Sequence, residues 1–159
     1  MKPPLERSLK LYLDTSVPNF LFVDNDNEKR KITERLFALL SDKTFEFYIS
    51  GIVLREIEKA PIAKRALLTD CLEDIEVLEF TLACERLAMA YVGNGALPKA
   101  SIEDARHVAV ATVHNLDAVV SWNFKHLVNL RRIKSVNLVN EGMGYKHIEI
   151  ISPQEVIKP

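Results

Sequence analysis

The sequence predicts an α/β fold, a three-layer α/β/α sandwich on a mostly parallel central sheet. Short β-prone runs alternate with helix-period patterns along the whole chain. The connections between them are short, which favours βα units and a sheet covered by helices on both faces. With 159 residues, 48% of them hydrophobic and 27% charged, the chain has apolar mass for one sizeable core. Nothing calls for a second one, so a single domain over residues 1–159 is expected.

The elements follow in order. A first strand is expected at residues 10–13, inside LYLDTS from Leu11. Residues 28–40 place Ile32, Leu36, Leu39 and Leu40 on one side of a helix, with Asp26 or Asn27 as its cap. A second strand at 45–49 leads to Ser50, the expected cap of a helix at 52–59, and a further helix follows at 63–72. Residues 76–78 form a third strand, after which Thr81 caps a helix at 82–91. Gly93, Asn94, Gly95 and Pro98 cluster into a loop that Ser101 ends as the cap of an Ala-rich helix at 102–115. Strands at 118–121 and 147–151 complete the sheet. The terminal residues, with prolines at 3, 4, 153 and 159, are expected to be peripheral. There is no internal repeat and no low-complexity segment.

Composition excludes several classes. The start, MKPPLERSLK, lacks the apolar core of a leader, and no apolar run reaches the roughly 18 residues of a membrane span, so a cytoplasmic protein is expected. Cys71 and Cys84 lie in helical patterns without CxxC spacing, which suits buried free thiols better than zinc or a disulfide. A net charge of −1 excludes a whole-molecule basic field, so any nucleic-acid contact must be a local patch.

In a parallel α/β sheet, chemistry belongs at the carboxyl ends of the strands, where loops open a crevice. Asp14 directly follows the first strand. Glu56 falls about two turns beyond Ser50, where a long side chain can lean over the same rim. Asp104 stands in the first turn of the Ala-rich helix, and Asn123 follows the fourth strand. Carboxylates converging without histidine or cysteine are hard oxygen ligands, suited to Mg²⁺ or Mn²⁺ rather than zinc. Such a cation supports phosphate chemistry, and without it clustered carboxylates repel one another and their pKa values rise.

Each residue also has a plainer reading. Asp14 fits an Asx turn, Asp104 the third position of a capping box with Ser101, Glu56 a surface pair with Lys59 or Lys64, and Asn123 a simple turn residue. What sets them apart is that all four fall at strand ends or helix starts.

The wording of three segments, LYLDTSVPNF from Leu11, EDARHVAVAT from Glu103 and LDAVVSWNFKHLVN from Leu116, resembles the PIN domain, and within it the toxin-like ribonucleases of the VapC type. The resemblance spans residues 10–150. It implies that Asp14, Glu56 and Asp104 are metal ligands, completed by Ser121 and Asn123. It also implies a 5′-phosphate product, a homodimer and an antitoxin protein that blocks the site. Many PIN domains carry aspartate where this chain has Asn123, which lowers the negative charge and favours one tightly held metal over two. Thr15 or Ser16 is expected to orient Asp14.

On the substrate side, residues 118–140 hold no acidic residue but contain Lys125, Arg131, Arg132 and Lys134. A single-stranded RNA backbone fits such a stretch, with Lys125 and Arg131 as candidate contacts and Trp122 or Phe124 as a stacking face. The plainer reading puts both aromatics in the core. Arg106 and His107, close to Asp104 on its helix, are either phosphate contacts or helix-face residues. Two other classes remain: a catalytically silent PIN-like module binding RNA or protein, and a phosphate-handling α/β domain phosphorylated on the first aspartate. A phosphatase of the second kind needs an acid two residues on, where this chain has Ser16.

Overall fold

The computed structural model describes residues 7–158, so the expectation for Pro3, Pro4 and Pro159 lies outside the described residues. The chain runs β1 (Leu9–Leu13), α1 (Ser16–Asn19), α2 (Asn27–Phe37), β2 (Phe45–Ser50), α3 (Gly51–Ile57) and α4 (Ile62–Cys71). It continues β3 (Glu76–Leu78), α5 (Leu82–Gly93), α6 (Ile102–Val113), β4 (Ala118–Val120), α7 (Leu130–Gly142), β5 (Glu149–Ile151) and α8 (Pro153–Ile157).

The strands form one sheet in the order β3-β2-β1-β4-β5, and every pairing is parallel. From β1 the chain steps outward through β2 to β3, then crosses back to β4 on the other side. Right-handed crossovers therefore place α2 to α4 on one face and α5 to α7 on the other. The packing agrees: α5 rests on α6 and α7, while α8 rests on α2. Leu11, Tyr12 and Leu13 are all buried, as a central strand covered on both faces requires. The three-layer sandwich expected from the alternation is present. Its strand order also separates it from the 2-1-3-4-5 order of phosphotransfer receivers.

Side-chain caps start four of the eight helices among the described residues, Asn129 capping α7 through the Arg132 N–H. The side chains of Asp26, Ser50 and Thr81 accept from the backbone N–H groups of Lys29, Ile52 and Cys84. Ser101 stands at the start of α6 but makes no side-chain cap bond, so the capping-box reading of Asp104 fails. The helix expected to run to residue 115 stops at Val113, and Asn115 takes φ 59°, a left-handed end that asparagine tolerates. Cys84 is buried and Cys71 half-buried, both as free thiols.

Three helices are not expected from the sequence. The 13-residue α7 occupies the stretch read there only as basic, because its inward face is partly polar and gives no apolar stripe: Val136, Asn137 and Asn140 are its buried residues. Asn137 accepts from the Ile148 N–H at 2.7 Å and donates to the Ile148 carbonyl at 2.9 Å, tying α7 to the approach to β5. α1 and α8 are too short for a periodic signal. Pro153 is a correction: it is buried at the first turn of α8, where its missing N–H costs nothing. Among the described residues no helix is long and apolar enough to cross a membrane.

Candidate active site

The reversal of strand order between β1 and β4 opens a crevice at their carboxyl ends, and Asp14 stands in it. The Asp14 N–H donates to the Val120 carbonyl at 3.2 Å, fixing the residue just past the last β1–β4 pair. Its side chain is buried, and Oδ1 accepts from the Ser16 N–H at 3.1 Å and the Ser16 hydroxyl at 2.5 Å. This is the Asx turn that turn chemistry suggests, but the turn also aims the carboxylate. The Ser16 hydroxyl in turn accepts from the Trp122 N–H at 2.9 Å, linking the loops after β1 and β4. Ser16 is the orienting hydroxyl expected beside Asp14.

Asp104 lies in the first turn of α6, and its Oδ2 accepts from the Asn123 amide nitrogen at 3.2 Å. The orientation of that amide is fixed because Asn123 Oδ1 accepts from the His126 N–H at 3.0 Å. The Asn123 N–H donates to the Ser121 hydroxyl at 3.0 Å. Glu56, late in α3, does not pair with Lys59 or Lys64. Instead its Oε1 faces His107 Nε2 at 2.6 Å and accepts from the Thr15 hydroxyl at 3.0 Å.

Charge follows from this geometry. Burial pushes the Asp14 carboxyl above its usual range, against the pull of His107 and the hydroxyls of Ser121 and Ser16. Burial and then the Asp14 charge raise Asp104, against His107, Asn123 and His126. Burial alone would raise Glu56 too, but the hydrogen bond and charge of His107, with Thr15, hold it below its usual value. Burial would depress His107, and the Glu56 bond with the charges of Asp14, Glu56 and Asp104 raises it instead.

No three His, Cys, Asp or Glu side chains among the described residues form a ready-made metal cage. The donors nevertheless suit a hard cation. Asp14 and Asp104 are repelling carboxylates largely withdrawn from water, and neither forms an ion pair with Lys or Arg among the described residues. Mg²⁺ is commonly held by one or two carboxylates with waters filling the remaining positions.

No protein-family model matches the chain, and no curated protein matches it in sequence. Solved structures do match in shape. A chain of the VapBC2 complex from Rickettsia felis, crystallised with a DNA fragment from its promoter, superposes with a TM-score of 0.60 at 16% identity, covering 91% of this chain and 98% of that one. VapC20 from Mycobacterium tuberculosis, described as a sarcin-ricin loop cleaving toxin, gives a TM-score of 0.56 at 20% identity over 72% of this chain and 91% of its own. The fold is that of the VapC toxins.

On this VapC-like frame the residues singled out from sequence fall into three places. Asp14, Asp104, Ser121 and Asn123 meet at the crevice, through the Ser121 and Asp104 interactions with Asp14 and the Asn123 bond to Asp104. Glu56 joins them through His107. Lys125 and Arg131 lie further out, lining a shallow groove of about 380 Å³ with Asn129, Arg132 and Ser135. Arg106 is elsewhere, paired with Glu85 and Glu103.

The two aromatics separate. Trp122 is buried and donates from Nε1 to the Thr33 hydroxyl, as the core reading holds. Phe124 is 46% exposed and packs edge-on against Trp122. Sequence reasoning left His107 between two roles. The available signal was its spacing, three residues after Asp104 on one helix, which puts both on the same face.

Proposed function

We propose that this chain is a metal-dependent endoribonuclease of the PIN/VapC type that hydrolyses RNA phosphodiesters as the cytoplasmic toxin of a toxin-antitoxin pair. The observation that carries the reading is the buried Asp14 and half-buried Asp104 facing one crevice at the switch point, with no lysine or arginine among the described residues paired to either. The VapC-like fold supports it, and so does VapC20, described as a sarcin-ricin loop cleaving toxin. An antitoxin protein and a second copy of the chain are the partners this reading implies.

Asp14, Glu56 and Asp104 would hold Mg²⁺ or Mn²⁺. When bound, such an ion offsets charge at the reacting phosphodiester and acidifies an attacking water. The remaining work belongs to the chain. Ser16 and Ser121 hold the Asp14 carboxylate in one orientation. Asn123 donates to Asp104, steadying one oxygen. Lys125 and Arg131 present cations to the RNA backbone, and the exposed Phe124 offers its ring to a base.

A silent RNA- or protein-binding module is the second reading, favoured by one observation: the fourth polar position presents an amide nitrogen where a carboxylate would add a ligand. Cleavage of an RNA panel with Mn²⁺ separates the two. The nuclease reading expects wild type to cut and Asp14→Ala and Asp104→Ala to lose at least about a hundredfold in rate. Equal cleavage by all three, or none by wild type, would sink it.

A further inference from the structure

One buried side chain ties Glu56 to the strand that leads into Asp14 without belonging to the expected ligand set. His107 is 3% exposed, on the α6 face that also carries Asp104. Its Nε2 faces Glu56 Oε1 at 2.6 Å, and its Nδ1 faces the Tyr12 hydroxyl at 2.7 Å. Tyr12 lies two residues before Asp14 on β1, and its hydroxyl is 2.8 Å from that of Ser50. Ser50 caps α3, the helix that bears Glu56, by accepting from the Ile52 N–H at 3.2 Å. The imidazole therefore joins α6, α3 and β1, the three elements that supply Asp104, Glu56 and Asp14.

The groups of this chain are linked end to end. Ser50 Oγ accepts from the Ile52 N–H and shares a further hydrogen bond with Tyr12 Oη, in which either hydroxyl can donate. His107 Nδ1 shares the next hydrogen bond with the Tyr12 hydroxyl, and Nε2 carries the proton that meets Glu56, because an ionised carboxylate can only accept. Every group is satisfied, and among the described residues no buried side-chain N or O lacks a partner. A carboxylate on a long, rotatable side chain, 30% exposed at the rim, is thereby held by a rigid ring that is itself locked by a buried tyrosine. Holding a ligating carboxylate through its hydrogen-bond partner is the means by which outer groups tune metal affinity.

We propose that His107 is a positioning residue that fixes Glu56 for cation binding, with Tyr12 and Ser50 behind it. This rests on the metal-dependent reading above, and it adds a role that lies outside the three carboxylates. The role belongs to Nε2, because that nitrogen alone meets Glu56. Glutamine at this position can return an amide N–H near Nε2, whereas asparagine reaches only as far as Nδ1 and the tyrosine hydroxyl. Asparagine also leaves the larger cavity, so the control for a role confined to filling space is the pair on a Glu56→Gln background, where a packing difference persists and a positioning difference vanishes.

The test is Mn²⁺ affinity of the whole chain, read from the electron paramagnetic resonance signal of free Mn²⁺ and requiring no turnover. His107→Gln is expected to bind Mn²⁺ within about threefold of wild type, and His107→Asn to lose about tenfold or more. On a Glu56→Gln background the two substitutions are expected to match within about twofold, since the group they act through is gone. Thermal melting of each variant confirms that it is folded. Equal affinities for the Gln and Asn variants, or an undiminished difference between them on Glu56→Gln, would overturn the inference while leaving the metal site standing. Wild type that binds no Mn²⁺ would overturn the site and the inference together.

Discussion

At the level of single residues, the site holds destabilising charge that a cation would relieve. Asp14, Asp104 and His107 all have folded pKa values above their ordinary ones. A raised group contributes stability that is fully present below its unfolded pKa and is lost as pH climbs through the folded value. For the two aspartates that loss starts at the ordinary carboxylate pKa and runs upward from it, and for His107 it begins near neutrality. Glu56, held low, works the other way and loses its contribution only as pH falls through its depressed value. His107 is faced by Glu56, Asp14 and Asp104 and by the Tyr12 hydroxyl. The metal-free protein is therefore expected to melt at a lower temperature at about pH 9 than at about pH 6. A flat profile over that range would contradict the assignment of charge. Asp104→Asn keeps an oxygen for Asn123 but removes the repulsion with Asp14. It should leave the metal-free Tm at pH 8 unchanged or raise it by about 2–4 °C, roughly 1 kcal/mol for a chain of this size.

At the level of elements, legibility depended on whether a buried face was apolar. β1, β2 and β4 carry runs such as LYL and AVV that are buried on both sides, and such runs are visible in the sequence. α7 was hidden because Asn137 and Asn140 occupy inward positions, and a buried amide looks like a surface residue until its partners are known. His107 was ambiguous for the same reason: its partners Glu56 and Tyr12 are 51 and 95 residues away in the chain. Asp14 and Asp104, by contrast, sit at strand and helix ends that local patterns already mark. The Asn137 clamp gives a measurable consequence. Asn137→Ala deletes both bonds to Ile148 and strands its buried N–H and carbonyl, a cost of about 2–3 kcal/mol. Thermal melting should show a fall of about 4–12 °C with Mn²⁺ affinity unchanged. A loss of affinity equal to that of a site variant would show that α7 reaches the metal site.

For the whole molecule, a net charge of −1 means that attraction to RNA cannot come from an overall field. It has to come from the groove where Lys125, Arg131 and Arg132 gather beside the loop that carries Asn123. Arg132 is partly spent on the Ala96 carbonyl at 3.2 Å, which leaves Lys125 and Arg131 as the more available cations. Both are exposed, so each phosphate contact is worth about 0.2–1 kcal/mol and the pair together about tenfold in binding. Counterion release gives a sharper readout, because each contact to a single strand contributes about 0.7 to the slope of log affinity against log salt. The double variant Lys125→Ala/Arg131→Ala should therefore raise KM up to about tenfold at low salt, flatten the salt slope by about 1.4 and leave kcat within about twofold. The carboxylates predict the reverse, with Asp104→Ala lowering kcat and leaving the salt slope intact. If the double variant instead lowers kcat with KM and slope unchanged, the groove does not carry the backbone, and RNA must approach Asp14 and Asp104 from another side.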